Sequence, residues 1–199
     1  MAPASALASP GDHIVREIGG KPVILLRNEA GALKGFFNVC AHRAGPLATC
    51  DGKGARRLRC AYHGWIYNLD GELRVAPEMQ DAKDFSRDGI KLVPVDVSEW
   101  QGLIFARAGQ GPALETALGG IAGRLAACGL DEMVHHHARI YDVDCNWKVY
   151  IDNYLEGYHV PSVHPGLNQL IDMTDYETTL YDTGSVQRSP VSDDSGPYA

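Results

Sequence analysis

No apolar run in this 199-residue chain approaches the length that a membrane-crossing helix needs. The opening, MAPASALASPG, has neither a basic stretch nor an apolar core, so it does not read as a secretory leader. Positive charge is in short supply. Eighteen Lys and Arg against 25 Asp and Glu give a net charge of −7, which argues against nucleic-acid binding as the main task. Five cysteines are an odd number, unsuited to a fully paired secreted framework, and a reduced, cytoplasmic setting fits better. No internal repeat is visible. What remains, 45% hydrophobic and 22% charged residues, is the make-up of an ordinary soluble globular chain of one or two small domains.

Within that background two short pairs stand out, Cys40-x-His42 and Cys60-x-x-His63. Each offers one thiolate and one imidazole. Two Cys with two His is the ligand set of a Rieske [2Fe–2S] centre, with the thiolates on one iron and neutral imidazoles on the other. The rival is a structural zinc site, which uses the same donors but commonly pairs two Cys first and two His later. Here each loop mixes one of each, which suits a two-iron cluster. Gly64 lets the backbone pass close by. Neither loop holds an extra cysteine for a clamping disulfide, and few hydroxyls flank the sulfurs. That predicts a potential at the low end of the Rieske range, roughly −150 mV. Cys50, Cys128 and Cys145 read as inert thiols.

Strand and turn signals place these pairs on loops. Residues 12–18 meet a Gly19-Gly20 turn and lead into an apolar strand over 22–27. A turn at 28–31 precedes a partner over 33–39 that delivers Cys40. Leu58-Arg59 leads into Cys60, residues 65–68 lead out, and Asp70-Gly71 turns into a strand over 73–75. Strands over 92–97 and 103–107 are expected around a link at 99–102. Trp65, Tyr67 and Trp100 read as packing residues. Helical spacing runs over 113–128, weakened by Gly119, Gly120 and Gly123. A strand is expected over 138–143, a helix over 146–158 and a strand over 175–181, with a frayed tail from Thr183.

A second constellation is Glu156-x-x-His159-x-x-x-x-His164. Two imidazoles and a carboxylate are what a mononuclear non-haem Fe(II) site needs, leaving positions open for oxygen. Alone this spacing is weak, but beside the first motif it gains weight, because the two sites are functional partners. Asp152 and Asn153, expected on the helix bearing Glu156, are candidates to hydrogen-bond a ligand. His135, His136 and His137 read as a solvated loop.

Cys40-x-His42, Cys60-x-x-His63, Asn146-Trp147-Lys148, the run Asp152 to His159, and His164 together resemble the large (α) subunit of Rieske non-haem iron oxygenases, the ring-hydroxylating dioxygenase family. The resemblance implies an α+β, β-rich fold: an antiparallel Rieske domain over 11–108, a linker over 109–132, and the start of a helix-grip catalytic domain over 133–199. It implies Cys40, His42, Cys60 and His63 as cluster ligands, His159 and His164 as ligands of a mononuclear Fe(II), and Glu156 as the carboxylate bridging the two centres between subunits. A Glu there is similar to the branch acting on quaternary ammonium compounds, such as the carnitine and choline oxygenases. The implied partners are an NAD(P)H-dependent flavin/iron–sulfur reductase, with or without a ferredoxin, a small organic substrate, O₂, and further copies in a trimer-type homo-oligomer. Hydroxylation, dihydroxylation or oxidative demethylation would follow.

Two departures qualify the resemblance. The family's leading helix is missing. Its third iron ligand, a carboxylate, normally lies far downstream, and Asp172, Asp175, Asp182, Asp193 and Asp194 are all nearer. A truncated chain is therefore expected. Its half-built catalytic sheet would expose apolar surface and be poorly soluble alone. Two other readings stay open: a Rieske ferredoxin-like electron carrier without oxygenase activity, and a zinc-stapled interaction domain.

Overall fold

The computed structural model describes residues 2–191. They divide into two compact units. The first reaches to Leu114 and takes in Gly129–His135; the second holds Glu115–Cys128 and continues from His136.

The first unit is built from nine strands in three antiparallel sheets. β1 (Ala2–Pro3), β9 (Leu103–Arg107) and β8 (Asp96–Trp100) form one sheet, in that order. β2 (His13–Ile18), β3 (Lys21–Arg27) and β4 (Leu33–Phe37) form the second. β5 (Leu58–Arg59), β6 (Ile66–Tyr67) and β7 (Leu73–Val75) form the third. The unbroken apolar run of β3 has a simple cause. Val23 and Leu25 pack into one buried cluster with Leu7, Ile14, Val95 and Ile104. Ile24 and Leu26 pack into the other, with Phe36, Leu58, Trp65 and Tyr67. A central strand covered on both faces leaves no position for a polar residue. The β2–β3 turn uses Gly19 and Gly20 at φ 56° and 76°, a conformation that costs glycine little.

Asp12 ties the segment at Ser9 to the loop at 53–54 from a buried position. Its carboxylate accepts from Ser9 N at 3.0 Å, Gly54 N at 3.3 Å and Lys53 Nζ at 3.0 Å. The Lys53 ammonium, followed by the two backbone donors, holds its carboxyl below the ordinary value of 3.8 despite the opposing effect of burial. A carboxyl depressed on folding stabilises the native state above its unfolded pKa, and that contribution fades as pH falls through the folded value. Asp12→Asn is therefore expected to lower the melting temperature at neutral pH and to flatten its fall below about pH 4, read by thermal unfolding against pH. Equal slopes in the two proteins would refute this role.

The second unit carries α1 (Leu114–Leu118, its first residue in the first unit), α2 (Ile121–Leu125), α3 (Trp147–Tyr154), α4 (Val160–Val163), α5 (Pro165–Leu170) and a hairpin of β10 (Glu177–Tyr181) and β11 (Gly184–Arg188). Of the apolar residues on α3, Trp147, Val149, Tyr150 and Tyr154 are more than half exposed. Among the described residues nothing covers this helix, which makes it an adhesive surface.

Several expectations are corrected. The helix over 113–128 is two helices and a 3-10 turn, because Gly119 breaks it at φ 49°. The helix over 146–158 stops at Tyr154, so Glu156 lies beyond its C-terminal end rather than on it. Residues 138–143 form no strand. Alternation alone does not make one without a neighbour to bond, and no ladder partner is present among the described residues. The strand expected over 92–97 is shifted to Asp96–Trp100, and the link shrinks to Gln101-Gly102, both at positive φ. The tail is ordered into β11 as far as Arg188. No helix among the described residues is long and apolar enough to cross a membrane.

Candidate metal centres

Cys40 and Cys60 begin two loops with the same backbone wiring. Cys40 N donates to Gly45 O at 2.9 Å and Ala44 N to Cys40 O at 3.0 Å. Cys60 N donates to Trp65 O at 2.9 Å and Gly64 N to Cys60 O at 3.0 Å. The fourth residue after each cysteine is left-handed, Ala44 at φ 57° and Gly64 at φ 72°. Each loop is thus a tight knuckle that buries its cysteine. Asn38 braces the first: its Oδ1 accepts from Leu47 N at 2.9 Å and Ala48 N at 3.2 Å, and its Nδ2 donates to Ala48 O at 2.7 Å.

The knuckles meet. A Cβ built on Gly45 would lie 2.9 Å from Cys60 Sγ and 3.3 Å from Tyr62 Cβ, so only a glycine leaves that thiol in place. Both thiols are buried and free of disulfides. The His42 and His63 ring centroids are 4.5 Å apart. Trp65 stacks on His42 at 4.8 Å, with the planes 6° apart, and Phe85 meets Trp65 edge-on at 5.9 Å. His63 is exposed beside Tyr62, at 3.9 Å between rings. Burial, then His63 and Arg43 nearby, push His42 toward the neutral form that a metal requires. Its Nδ1 is buried with no hydrogen-bond partner. Two buried thiols, an orphaned ring nitrogen and a glycine-cleared approach fit an inorganic group held by both loops.

The second site is in the other unit. His159 and His164 bracket the single turn of α4, and their centroids are 5.1 Å apart. Glu156 folds back onto His159. One carboxylate oxygen makes a short hydrogen bond with His159 Nδ1; the other accepts from the backbone N–H groups of Tyr158 and, at 3.2 Å, His159. The His159 ring, followed by these backbone donors, keeps the Glu156 carboxyl below its ordinary 4.5. With Nδ1 committed, Nε2 of His159 is the nitrogen left for a metal.

A cavity of about 770 Å³ opens here, lined among others by Glu156, His159, His164, Tyr150, Tyr154 and Tyr176. Asn153 lines it as well. The Asp152 side chain makes no bond to either histidine among the described residues. None of Asp172, Asp175 and Asp182 lines the cavity. Asp172 caps a 3-10 turn instead, accepting from Thr174 N at 2.9 Å and from Thr174 Oγ1 at 2.6 Å. Asp193 and Asp194 fall outside the described residues. His135, His136 and His137 are exposed, as expected. Sequence reasoning missed Asn38, Gly45, Tyr176 and the contact of Tyr67 with Cys40. All four act through neighbours distant in the chain, so no local signal marks them.

Comparison with known proteins agrees with this layout. A family model described as the Rieske [2Fe-2S] domain matches residues 1–92, and one described as the ring hydroxylating alpha subunit (catalytic domain) matches 130–196. The carnitine monooxygenase oxygenase subunit of Acinetobacter baumannii is 33% identical over 190 residues, covering 94% of this chain and 51% of that protein. The chloroplastic choline monooxygenase of Arabidopsis thaliana is 35% identical over 189 residues, 88% of this chain and 44% of that protein. The crystal structure of the quaternary ammonium Rieske monooxygenase CntA with L-carnitine aligns at a TM-score of 0.86 and 30% identity, over 95% of this chain and 55% of that one. The chain spans about half the length of the curated relatives it matches. It belongs to the Rieske non-haem iron oxygenases, in the branch of the carnitine and choline monooxygenases.

Proposed function

We propose that this chain carries the electron-receiving and oxygen-activating parts of a terminal oxygenase acting on a small quaternary ammonium compound. The family implies a Rieske [2Fe–2S] cluster and a mononuclear iron. Cys40, His42, Cys60 and His63 would hold the cluster; His159 and His164 would hold the iron. Bound, these groups supply single electrons and the activation of O₂.

The chain's own residues do the rest. The paired knuckles bring two cysteines and two histidines together. Glu156 holds the Nδ1 proton of His159 and fixes the ring's orientation. Tyr150, Tyr154 and Tyr176 line the cavity, and aromatic rings attract a quaternary ammonium group. Hydroxylation beside the nitrogen, ending in oxidative demethylation or C–N cleavage, is the reaction class this suggests.

The observation that carries the reading is the buried, unpartnered Nδ1 of His42, on a loop that begins at one of two buried thiols. The partners we infer are an NAD(P)H-dependent flavin/iron–sulfur reductase, with or without a ferredoxin, and further copies of the chain in a trimer-type assembly in the cytoplasm. A structure of CntA is described as giving insight into inter-subunit electron transfer, which supports that assembly. Exposed Arg43, Arg56, Arg57 and Arg59 lie on and beside the cluster loops and suit an acidic donor protein. We divide the chain into a Rieske domain over 11–108, a linker over 109–132 and catalytic residues over 133–199.

The test is anaerobic purification followed by iron and acid-labile sulfide assays and EPR of the dithionite-reduced protein. A rhombic two-iron signal is the expected result. Colourless, sulfide-free protein containing zinc would overturn the reading. The carrier alternative predicts a cluster but no further iron bound through His159 and His164.

A further inference from the structure

The peptide that carries Glu156 is gripped on both sides by the β10–β11 hairpin. Upstream, Leu155 is the first residue past α3, where helical bonding stops and carbonyls need outside partners. Gln187, on β11, meets it. Its Nε2 donates to Leu155 O at 3.1 Å and to Ser185 Oγ at 3.1 Å. A carbonyl can only accept, so the amide nitrogen must face it, and both of that nitrogen's protons are in use. Downstream, the ring of Tyr176 lies against Gly157. A Cβ built there would be 2.5 Å from Tyr176 Cζ and 2.8 Å from its hydroxyl oxygen. Tyr176 enters β10 in an extended conformation, at φ −68° and ψ 121°. Thr178 pairs with Gln187 across the hairpin, and alternation puts Tyr176, Thr178 and Gln187 on one face. That face touches residues 155 and 157, and Glu156 sits between the two contacts.

We propose that this hairpin face is the device that seats Glu156 against His159, with Gln187 as the positioning residue. The proposal rests on the reading of His159 and His164 as metal ligands. The physical reason is conformational freedom. Past Tyr154 no helix holds the backbone, and Glu156 has a long side chain with several rotatable bonds. Its carboxylate meets His159 Nδ1 only while the peptide at 155–157 stays in place. Anchors on both neighbours remove that freedom before a metal arrives, so the imidazole is held with Nε2 available. Among the described residues Gln187 makes no hydrogen bond to either histidine; it acts through Glu156.

The experiment is a Co(II) titration of the anaerobically prepared, cluster-loaded chain, its second site first emptied with a chelator, read by EPR and equilibrium dialysis. The oxidised cluster is EPR-silent, so the Co(II) signal reports its own ligands, and the part lost in His164→Ala identifies the site. Gln187→Leu is close in shape and lacks the donor. It should bind Co(II) there about tenfold more weakly and with broader EPR lines, at unchanged sulfide content. In a Glu156→Ala background the same substitution should cost less than about twofold, because the contact it serves is already gone. Native affinity in Gln187→Leu overturns the proposal, as does a loss of equal size in both backgrounds. Should Gln187→Leu fail to fold by circular dichroism, Gly157→Ala decides. Its methyl wedges Tyr176 away and should weaken Co(II) binding to the same extent; native affinity there overturns the proposal. A native chain that takes up no Co(II) through His164 removes the metal-site reading and this proposal together.

Discussion

Gly45→Val will leave the chain with less than about a tenth of the acid-labile sulfide of the native protein, and without its visible colour. The argument is geometric. A Cβ at position 45 reaches to 2.9 Å from Cys60 Sγ, and the next nearest atom, Tyr62 Cβ, is itself held by the second loop. A flexible side-chain tip could swing aside, but a thiol that must coordinate cannot yield without leaving its site. The two branches of valine make the conflict worse than alanine would. The buried clusters are built largely from strand residues such as Ile24, Leu26, Ile14 and Ile104, so the fold should survive with only its metal chemistry lost. Ala44→Gly is the matched control. Ala44 sits at φ 57°, where a Cβ is strained. Removing it should change stability by no more than about 1 kcal/mol and leave the cluster in place. Circular dichroism with sulfide and iron assays reads both. A fully loaded Gly45→Val protein would show that the knuckles do not close on each other as described.

Glu156→Gln should leave the cluster present and reducible while reductase-driven oxygen uptake, in the protein assembled with its partners, falls about 10- to 100-fold. The carboxylate has two tasks that an amide does poorly. It accepts a hydrogen bond from His159 Nδ1 with a full negative charge, and its second oxygen gathers the backbone N–H groups of Tyr158 and His159. Glutamine offers one neutral acceptor and turns an NH₂ toward groups that also donate. The His159 ring then loses its fixed orientation. Single-turnover reduction of the cluster separates this from simple damage: an unchanged reduction rate with lost oxygen uptake is expected. Uptake at the native level would remove Glu156 from any functional role.

The candidate ligands stand out in the sequence because their spacing is local. Cys40 with His42 and Cys60 with His63 are each contained in one tight loop, and the strand pattern around them is regular. Glu156, His159 and His164 are equally compact. The supporting residues are not legible for the opposite reason. Tyr67 reaches Cys40 from another strand, and Asn38 braces residues about ten positions away. The absent strand over 138–143 and the overlong helix over 146–158 share a cause: periodicity reports which faces are apolar, not whether a partner is present to bond or cover them. Trp147 and Tyr150 keep their helical spacing although both are exposed. Gly119, suspected as a weak point, did break its helix because a left-handed residue cannot continue a right-handed one.

The two knuckles share one backbone path but place their imidazoles one step out of phase, at the second residue after Cys40 and the third after Cys60. His42 is tucked beneath an indole, and His63 faces water. A redox group seated between them would have a front and a back. Reagents that alkylate or acylate histidine should reach one ring and spare its twin, and any exchange of charge with the outside would use the same single doorway.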